Sequence, residues 1–312
     1  MNIVFLDRKS IGDDLDLSAF DKLGNVVMYD FSTPAEARER TKDADIIVIN
    51  KTPINGQTTG LADHLKLVCV TATGTNNLDK AYLDRRGIQW RNVAGYSTES
   101  VAQHTFALLF YIWEHLRYYD DYVKSGSYAD DRLFTHFAQN FRELSGKTWG
   151  IAGLGTIGRR VASIAQAFGC KVQYYSTSGR NHTDDYKEVG FKELLETSDI
   201  ISIHAPLNEQ TEGLFNAEAL GCMKKTAVLI NVGRGPIIVE KDLADALRSG
   251  RIAAAGLDVL SAEPMSKDSP FYGLKDSSLF ITPHIAWASV EARTRLMDII
   301  ADQIKEFISA GK

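Results

Sequence analysis

A glycine-rich turn between a predicted strand and a predicted helix constrains this chain more than any other feature. Gly153, Gly155 and Gly158 have the spacing G-x-G-x-x-G, between the apolar run 149–152 and the helix-like segment 159–165. The first glycine of such a turn allows the tight bend, the second lets backbone approach a pyrophosphate, and the third lets helix and strand pack closely. The helix N-terminus offers unpaired N–H groups to phosphates. An ordinary glycine turn is the alternative, but these flanking segments favour dinucleotide binding.

Strand-like and helix-like segments alternate along the chain in two series. The first series of predicted strands comprises 3–6, 26–29, 46–49, 67–70 and 88–90. After the strand that leads into the glycine turn, the second series comprises 172–175, 200–203, 228–231, 254–257 and 279–281. The predicted helices include 34–42, a long helix at 100–119 and a closing helix at 289–308. This alternation predicts an α/β protein with two doubly wound domains, each a parallel sheet covered by helices on both faces.

Length, charge and cysteine content exclude several classes of protein. The 312 residues suit two domains, and the formal net charge of −5 argues against a nucleic-acid partner held by phosphate contacts. Cys69, Cys170 and Cys222 lie far apart, without metal-ligand spacing or a disulfide framework, and suit a reducing compartment. The N-terminus lacks the pattern of a signal peptide, and no apolar run is long enough to span a bilayer. We therefore expect a cytoplasmic protein with no metal and no membrane partner.

The segment 120–142 is polar but unusually rich in aromatic residues. Its aromatic side chains include Tyr122, Tyr128, Phe134, Phe137 and Phe141. They indicate either a surface arm that contacts a partner subunit or simple packing against the chain's own surface. A homodimer is the assembly we expect.

Polar segments follow several predicted strands, at the end of a parallel sheet where ligands bind. Arg234 lies between two glycines, so little side chain nearby would block its approach to a ligand. Its guanidinium suits a planar carboxylate, with two parallel charge-assisted hydrogen bonds. A structural ion pair is the alternative for Arg234. The Thr-rich segment 71–76, taken by itself, is typical of an ordinary turn.

His284 and Glu263 form a candidate pair for proton transfer. His284 follows Pro283 at a predicted strand end, where it could protonate a carbonyl oxygen as hydride arrives on carbon. A lone histidine is more often structural, but a carboxylate bonded to the imidazole would favour its charged form and fix its orientation. The alternative for Glu263 is a solvated loop acid before Pro264.

Five motifs in order resemble the D-isomer-specific 2-hydroxyacid dehydrogenase family. They are the glycine turn, His204-Ala205-Pro206-Leu207, Asn231-Val232-Gly233-Arg234-Gly235, Gly256-Leu257-Asp258-Val259 with Glu263-Pro264, and Pro283-His284-Ile285-Ala286. The resemblance covers about residues 45–300, and the sequence His284-Ile285-Ala286-Trp287 looks most like the glycerate dehydrogenase (hydroxypyruvate reductase) branch.

The resemblance implies a domain arrangement. A Rossmann-type nucleotide domain would occupy residues 100–287, and a flavodoxin-like substrate domain would combine 1–99 with 288–312. The last helix would thus return to the N-terminal domain. A cleft between the domains would hold the ligands.

The resemblance also implies residue roles. Arg234 would bind the substrate carboxylate, and His284 with Glu263 would transfer the proton. Lys51 and the backbone donors of Thr73, Gly74 and Thr75 would contact the substrate. Asp258 would meet the nicotinamide amide, unless it is only a strand-end turn residue. The remaining cofactor-binding positions would be Thr98, Gly153, Gly155, Thr156, Ile157, Gly158, Ser176, Thr177, Ser178, Arg180, His204, Pro206, Thr211, Val232 and His284.

One departure from the family pattern bears on cofactor choice. NAD-preferring members usually carry an acid at the end of the second strand of the nucleotide fold, where it holds the ribose hydroxyls. Here Tyr175 is followed by Ser176-Thr177-Ser178-Gly179-Arg180. Nothing there repels a 2′-phosphate, while three hydroxyls and Arg180 could hold one. We therefore expect NAD(P) as cofactor, and we favour NADP or use of both cofactors. The alternative is that this segment is only a polar turn that leaves the ribose to water.

The expected activity is hydride transfer between a nicotinamide cofactor and a small 2-keto or D-2-hydroxy acid, with hydroxypyruvate or glyoxylate as substrate. A dinucleotide-sensing regulatory protein on the same scaffold is the alternative from another class. The presence of Arg234, Glu263 and His284 together favours the enzyme. Formate dehydrogenase looks similar, but it usually pairs its histidine with a glutamine, and Glu263 argues against it.

Overall fold

The computed structural model describes residues 1–274 and 278–311, and the chain forms two compact units. The first unit comprises Met1–Ser97 together with Trp287–Lys312, of which Lys312 lies outside the described residues. The second unit is Thr98–Ala286. The boundaries lie two residues and one residue before those proposed from the sequence, 99/100 and 287/288.

The first unit contains a parallel sheet of five strands. The strands are β1 (Asn2–Phe5), β2 (Asn25–Met28), β3 (Ile46–Ile49), β4 (Leu67–Val70) and β5 (Gln89–Arg91). The helices among them are α1 (Pro34–Arg40), α2 (Gly56–Thr59) and α3 (Lys80–Arg85), with 3-10 turns at Arg8–Ile11 and Phe20–Lys22. The strand order is β2-β1-β3-β4-β5, which is the flavodoxin-like order of doubly wound sheets. Thr33 and Glu36 begin α1 with a capping box, each satisfying a backbone N–H of the other residue.

The second unit contains a parallel sheet of seven strands. The strands are β6 (Thr148–Ala152), β7 (Lys171–Tyr175), β8 (Lys187–Glu188), β9 (Ile200–Ile203), β10 (Val228–Asn231), β11 (Ala254–Leu257) and β12 (Leu279–Ile281). The helices are α4 (Thr98–Trp113), α5 (Leu116–Lys124), α6 (Thr156–Ala167), α7 (Phe191–Thr197), α8 (Ala217–Cys222) and α9 (Glu240–Arg248), with a 3-10 turn at Gly235–Ile237. The strand order is β12-β11-β10-β9-β6-β7-β8. Successive strands are added towards one edge from β6 to β8 and towards the other edge from β9 to β12, so the order reverses between β6 and β9. That switch point is where doubly wound sheets bind ligands.

The last helix, α10 (Val290–Ser309), packs in the first unit. Leu296, Ile300 and Ile304 of α10 share an apolar cluster with Ile3 and Phe5 of β1. The alternate β1 residue Val4 and its neighbour Leu6 enter a second cluster on the other face. Apolar side chains on both faces of the strands explain why the sequence reads as continuous hydrophobic runs. The predicted α/β class with two parallel sheets is confirmed.

Two local features differ from the sequence expectation. The single helix predicted at 100–119 is two helices, because His115 takes a left-handed backbone with φ of 52° between α4 and α5. No proline or glycine marks this break in the sequence. The short strand β8 was not predicted, since its two residues, Lys187 and Glu188, are charged and exposed. No helix in the described part of the chain has both the length and the apolar character needed to cross a membrane.

Candidate functional site

The three glycines of the turn each meet a different spatial demand. Gly153 has a φ of +95°, and a Cβ there would lie 2.8 Å from the backbone nitrogen of Ala205. A Cβ at Gly155 would meet no atom of residues 1–274 and 278–311 within 4 Å, its chain neighbours aside, so the space beside its backbone is open. A Cβ at Gly158 would collide with the carbonyl oxygen of Gly153. Gly153 therefore allows the bend, Gly155 leaves room for a ligand to approach the backbone, and Gly158 allows the helix to pack closely.

The start of α6 is suited to an anion. The helix begins at Thr156, continues with Ile157, and is preceded by Gly155, which provides no side-chain cap. The N–H groups of the first turn thus keep their hydrogen-bonding capacity, and the helix dipole places partial positive charge there. A pyrophosphate beside Gly155 would satisfy these donors.

Two buried polar atoms flank the glycine turn and have no hydrogen-bond partner among residues 1–274 and 278–311: Ser176 Oγ and His204 Nδ1. Ser176 follows β7 and His204 follows β9, and these are the two strands that adjoin β6. Burial lowers the pKa of His204 to about 3, so its ring is neutral. Unpaired buried polar groups are costly, and the oxygens of a dinucleotide would supply partners. The residues present therefore fit this cofactor.

The segment after β7 lacks a carboxylate at the ribose position. Ser176 and Thr177 lead into the exposed residues Ser178 and Arg180. The nearby carboxylate of Glu188 is not free, because its Oε2 lies 2.8 Å from His182 Nδ1. That contact is the largest cause of the pKa shifts of both groups. It raises the pKa of His182 and lowers the pKa of the Glu188 carboxyl.

The other predicted cofactor positions differ in exposure. Thr98 begins α4, and Val232 is buried directly after β10. Thr211 is fully buried, and its hydroxyl donates to the carbonyl oxygen of Pro206 at 2.7 Å. The hydroxyl of Thr211 thus stabilises the loop that carries Pro206, a structural task that the sequence did not indicate.

His284 and Glu263 are in direct contact. His284 Nδ1 lies 2.6 Å from Glu263 Oε2, while Glu263 Oε1 accepts a hydrogen bond from the Leu260 N–H at 3.0 Å. The carboxylate is therefore fixed to its own loop and to the imidazole at once. The backbone of His284 is left-handed, with φ of 56°, a conformation that costs a non-glycine residue about 1–2 kcal/mol.

Asp258, at the end of β11, is buried beneath His284. Its carboxylate accepts hydrogen bonds from the N–H groups of Ile285 and Ala286, both at 2.8 Å. Its carbonyl oxygen accepts the N–H of His284 at 2.8 Å. The position predicted to meet the nicotinamide amide thus also holds the segment that carries His284.

Arg234 lies in a loop shaped by Asn231. The Asn231 side chain accepts from the Gly233 N–H and donates to the Arg234 carbonyl oxygen, both at 3.0 Å. Arg234 Nη1 donates to the Gly233 carbonyl oxygen, and no salt bridge to Arg234 is present within the described ranges. A Cβ at Gly235 would collide with the Leu260 backbone, so this glycine lets the arginine loop approach the loop of Glu263.

The predicted substrate residues of the first unit are organised by an acid that sequence reasoning missed. The buried carboxylate of Asp7 accepts hydrogen bonds from the N–H groups of Asn50, Lys51 and Thr52 at 2.7–2.8 Å. It fixes the turn after β3 and leaves the Lys51 side chain exposed. The position of Asp7 directly after the first predicted strand was the available signal.

The turn after β4 contains the other three candidates. The Thr73 hydroxyl donates to the Val93 carbonyl oxygen at 3.0 Å, so this side chain holds the turn. The N–H groups of Gly74 and Thr75 have no acceptor in the part of the chain that the structure describes. They are available as backbone donors.

Known proteins resemble the chain over its whole length. The family described as "D-isomer specific 2-hydroxyacid dehydrogenase, NAD binding domain" matches residues 106–286. The hydroxypyruvate reductase of Blautia hydrogenotrophica is 39% identical, over 100% of this chain and 98% of that protein. The glycerate dehydrogenase of Methylorubrum extorquens is 34% identical, over 99% and 96%. Among solved structures, an acyclic imino acid reductase in complex with NADPH and D-Arg is 32% identical, with a TM-score of 0.87 over 99% and 98% of the two chains.

Proposed function

Because the chain belongs to the D-isomer specific 2-hydroxyacid dehydrogenase family, we propose that its substrate is hydroxypyruvate or glyoxylate. The protein is an NAD(P)-dependent oxidoreductase that acts on a small 2-keto or 2-hydroxy acid. The observation that carries the proposed proton transfer is the 2.6 Å contact between His284 Nδ1 and Glu263 Oε2, and the substrate itself is proposed from the similarity to hydroxypyruvate and glyoxylate reductases. A dinucleotide sensor would not need a carboxylate-supported imidazole, so the regulatory alternative is not supported.

Each residue has a distinct task in this proposal. The guanidinium of Arg234 binds the substrate carboxylate, and the backbone donors of Gly74 and Thr75, with Lys51, assist in orienting the substrate. His284 gives a proton from Nε2 to the carbonyl oxygen during reduction and takes it back during oxidation. Glu263 stabilises the imidazolium and fixes the ring through Nδ1. The nicotinamide, when bound, supplies the hydride.

The cofactor would be held by the backbone of the glycine turn and by the flanking polar groups. Gly155, Thr156 and Ile157 would contact the pyrophosphate, and Ser176 and His204 would bond ribose or phosphate oxygens. The absence of an acid after β7 supports use of NADP or of both cofactors. Asp258 would accept a hydrogen bond from the nicotinamide amide.

We expect hydroxypyruvate and glyoxylate to give the highest kcat/KM in a panel of 2-keto acids assayed with NADPH and NADH. NADPH should be at least as efficient as NADH. In Arg180→Gln, loss of an exposed charged contact should lower kcat/KM for NADPH about tenfold and leave NADH unchanged. A strong NADH preference in the wild type would contradict the cofactor proposal. Dinucleotide binding without turnover of any acid would favour the sensor instead.

We propose that the exposed aromatic segment is a dimer interface. Phe134 and Phe137 are 90% and 78% exposed, and further apolar side chains nearby are exposed as well. Patches of this kind mark protein interfaces. The segment 120–142 carries both acids and bases, so two identical copies have opposite charges with which to pair across a two-fold axis.

The dimer is tested by measuring mass in solution. We expect the wild type to be a dimer by light scattering, and Phe134→Glu combined with Phe137→Glu to be a monomer that still binds NADPH. Phe31→Glu, at a 66% exposed phenylalanine of the first unit, is the matched control and should stay dimeric. A monomeric wild type, or a dimeric double variant, would refute this interface.

We also propose a cytoplasmic location. Cys69, Cys170 and Cys222 are all free thiols, which suits a reducing compartment. Burial raises the pKa of Cys69 to about 12 and that of Cys170 to about 11. These two thiols are therefore protonated and unreactive in the folded protein.

A further inference from the structure

The carboxylate of Asp258 collects hydrogen bonds from the whole segment that carries His284. Its Oδ1 accepts from the Thr282 hydroxyl at 2.6 Å and from the Ile285 N–H at 2.8 Å. Its Oδ2 accepts from the Ala286 N–H at 2.8 Å. The segment 282–286 thus wraps around one buried anion.

This wrapping holds the left-handed backbone of His284. The His284 N–H donates to the carbonyl oxygens of Asp258 and Thr282, at 2.8 and 3.0 Å. A non-glycine residue keeps such a conformation only where the surrounding bonds determine it. Since the backbone direction at His284 sets where its imidazole points, the bonds to Asp258 also bear on the contact with Glu263.

A residue of α4 completes the network. His104 Nε2 lies 2.9 Å from the Thr282 hydroxyl and 3.5 Å from Asp258 Oδ1. The hydroxyl has a single proton, and a carboxylate is an acceptor only, so Thr282 donates to Asp258. The hydroxyl oxygen must then accept from His104, which carries its proton on Nε2. Burial is the largest influence on His104 and lowers its pKa, against the opposing charge of Asp258, so the ring is a neutral donor.

We propose that His104 and Thr282 are positioning residues for the proton-transfer histidine. The Nε2–H of His104 fixes the Thr282 hydroxyl, and this hydroxyl fixes one side of the Asp258 carboxylate. The carboxylate then holds the backbone that aims His284 at Glu263. The inference rests on the proposed role of His284, and it gives Asp258 a task besides contact with the nicotinamide amide.

The test compares near-isosteric variants of Thr282. Thr282→Val removes the hydroxyl, and we expect kcat for hydroxypyruvate reduction to fall about tenfold, as for loss of one hydrogen bond. KM for hydroxypyruvate and the Kd of NADPH should stay within about twofold, because neither ligand contact is removed. Thr282→Ser keeps the hydroxyl and should retain wild-type kcat.

Two variants of His104 form a second pair, which tests the proposal if Thr282→Val does not fold. His104→Gln can place an amide N–H where Nε2–H lies, and we expect it to keep kcat within about twofold. His104→Asn is too short to reach Thr282, and we expect it to behave like Thr282→Val. Equal kcat in these two variants, or a Thr282→Ser variant as slow as Thr282→Val, would overturn the proposal.

A spectroscopic measurement separates this inference from the proposed reaction. The proton between His284 Nδ1 and Glu263 should give a downfield NMR signal in the wild type and in Thr282→Ser, without any substrate. We expect this signal to move or broaden in Thr282→Val. That change in a protein that turns over no 2-keto acid would support the positioning link while refuting the proposed function. An unmoved signal would refute the link even in an active enzyme.

Discussion

Replacing His284 by asparagine is expected to lower kcat for hydroxypyruvate reduction by about 100- to 10,000-fold, the contribution typical of general acid–base catalysis. The variant removes the group that we propose gives the proton to the carbonyl oxygen. Asparagine is preferred to alanine because it tolerates the left-handed backbone at this position, where φ is 56°. The loss then reports on the imidazole and not on a rearranged segment. Steady-state kinetics with saturating NADPH gives kcat.

Two further measurements make this result specific. The Kd of NADPH in His284→Asn should stay close to that of the wild type. In Glu263→Gln, His284 Nδ1 loses its carboxylate partner, so kcat for hydroxypyruvate reduction should fall about tenfold, as for loss of a charge-assisted hydrogen bond. A His284→Asn variant that keeps full turnover would remove the acid–base assignment. A wild-type kcat in Glu263→Gln would remove the role of the carboxylate.

Features set by local pattern were predictable from the sequence. The strands appear in the sequence as short, continuous apolar runs because both faces of each sheet are covered. The glycine turn is recognisable from the spacing of its three glycines. The pairing of His284 with Glu263 also follows from residue types near two adjacent strand ends. In each case the residues that decide the structure lie close together in the sequence or at equivalent ends of neighbouring strands.

Features set by contacts between distant residues were not predictable in this way. Asp7 binds the backbone 43–45 residues away, and His104 meets Thr282 across 178 residues. A sequence pattern shows the polar residue type but not its partner. The break at His115 is similar, since its left-handed backbone is not marked by glycine or proline. Tertiary packing overrides the continuous helical periodicity there.

The second large effect is expected at Arg234. Arg234→Gln should lower kcat/KM for hydroxypyruvate by about 100- to 1,000-fold, because the proposed hydrogen-bonded charge pair with the substrate carboxylate is lost. The loss should appear mainly in KM, since the guanidinium binds ground state and transition state alike. Arg234→Lys keeps the charge without the planar fork and should lie between the wild type and Arg234→Gln. Steady-state kinetics at fixed saturating NADPH measures all three proteins.

A substrate that lacks the negative charge gives a more specific test of whether Arg234 binds the substrate carboxylate. The wild type should prefer pyruvate to pyruvamide, its neutral amide, because a site built to bind an anion leaves its cationic donor poorly paired with the amide. In Arg234→Gln this preference should nearly disappear, since the cation that enforces it is gone. If Arg234→Gln still discriminates as strongly as the wild type, another cation binds the carboxylate, and Lys51 would become the next candidate. Arg234 has no salt bridge within residues 1–274 and 278–311, so the loss in Arg234→Gln cannot be ascribed to a broken structural ion pair.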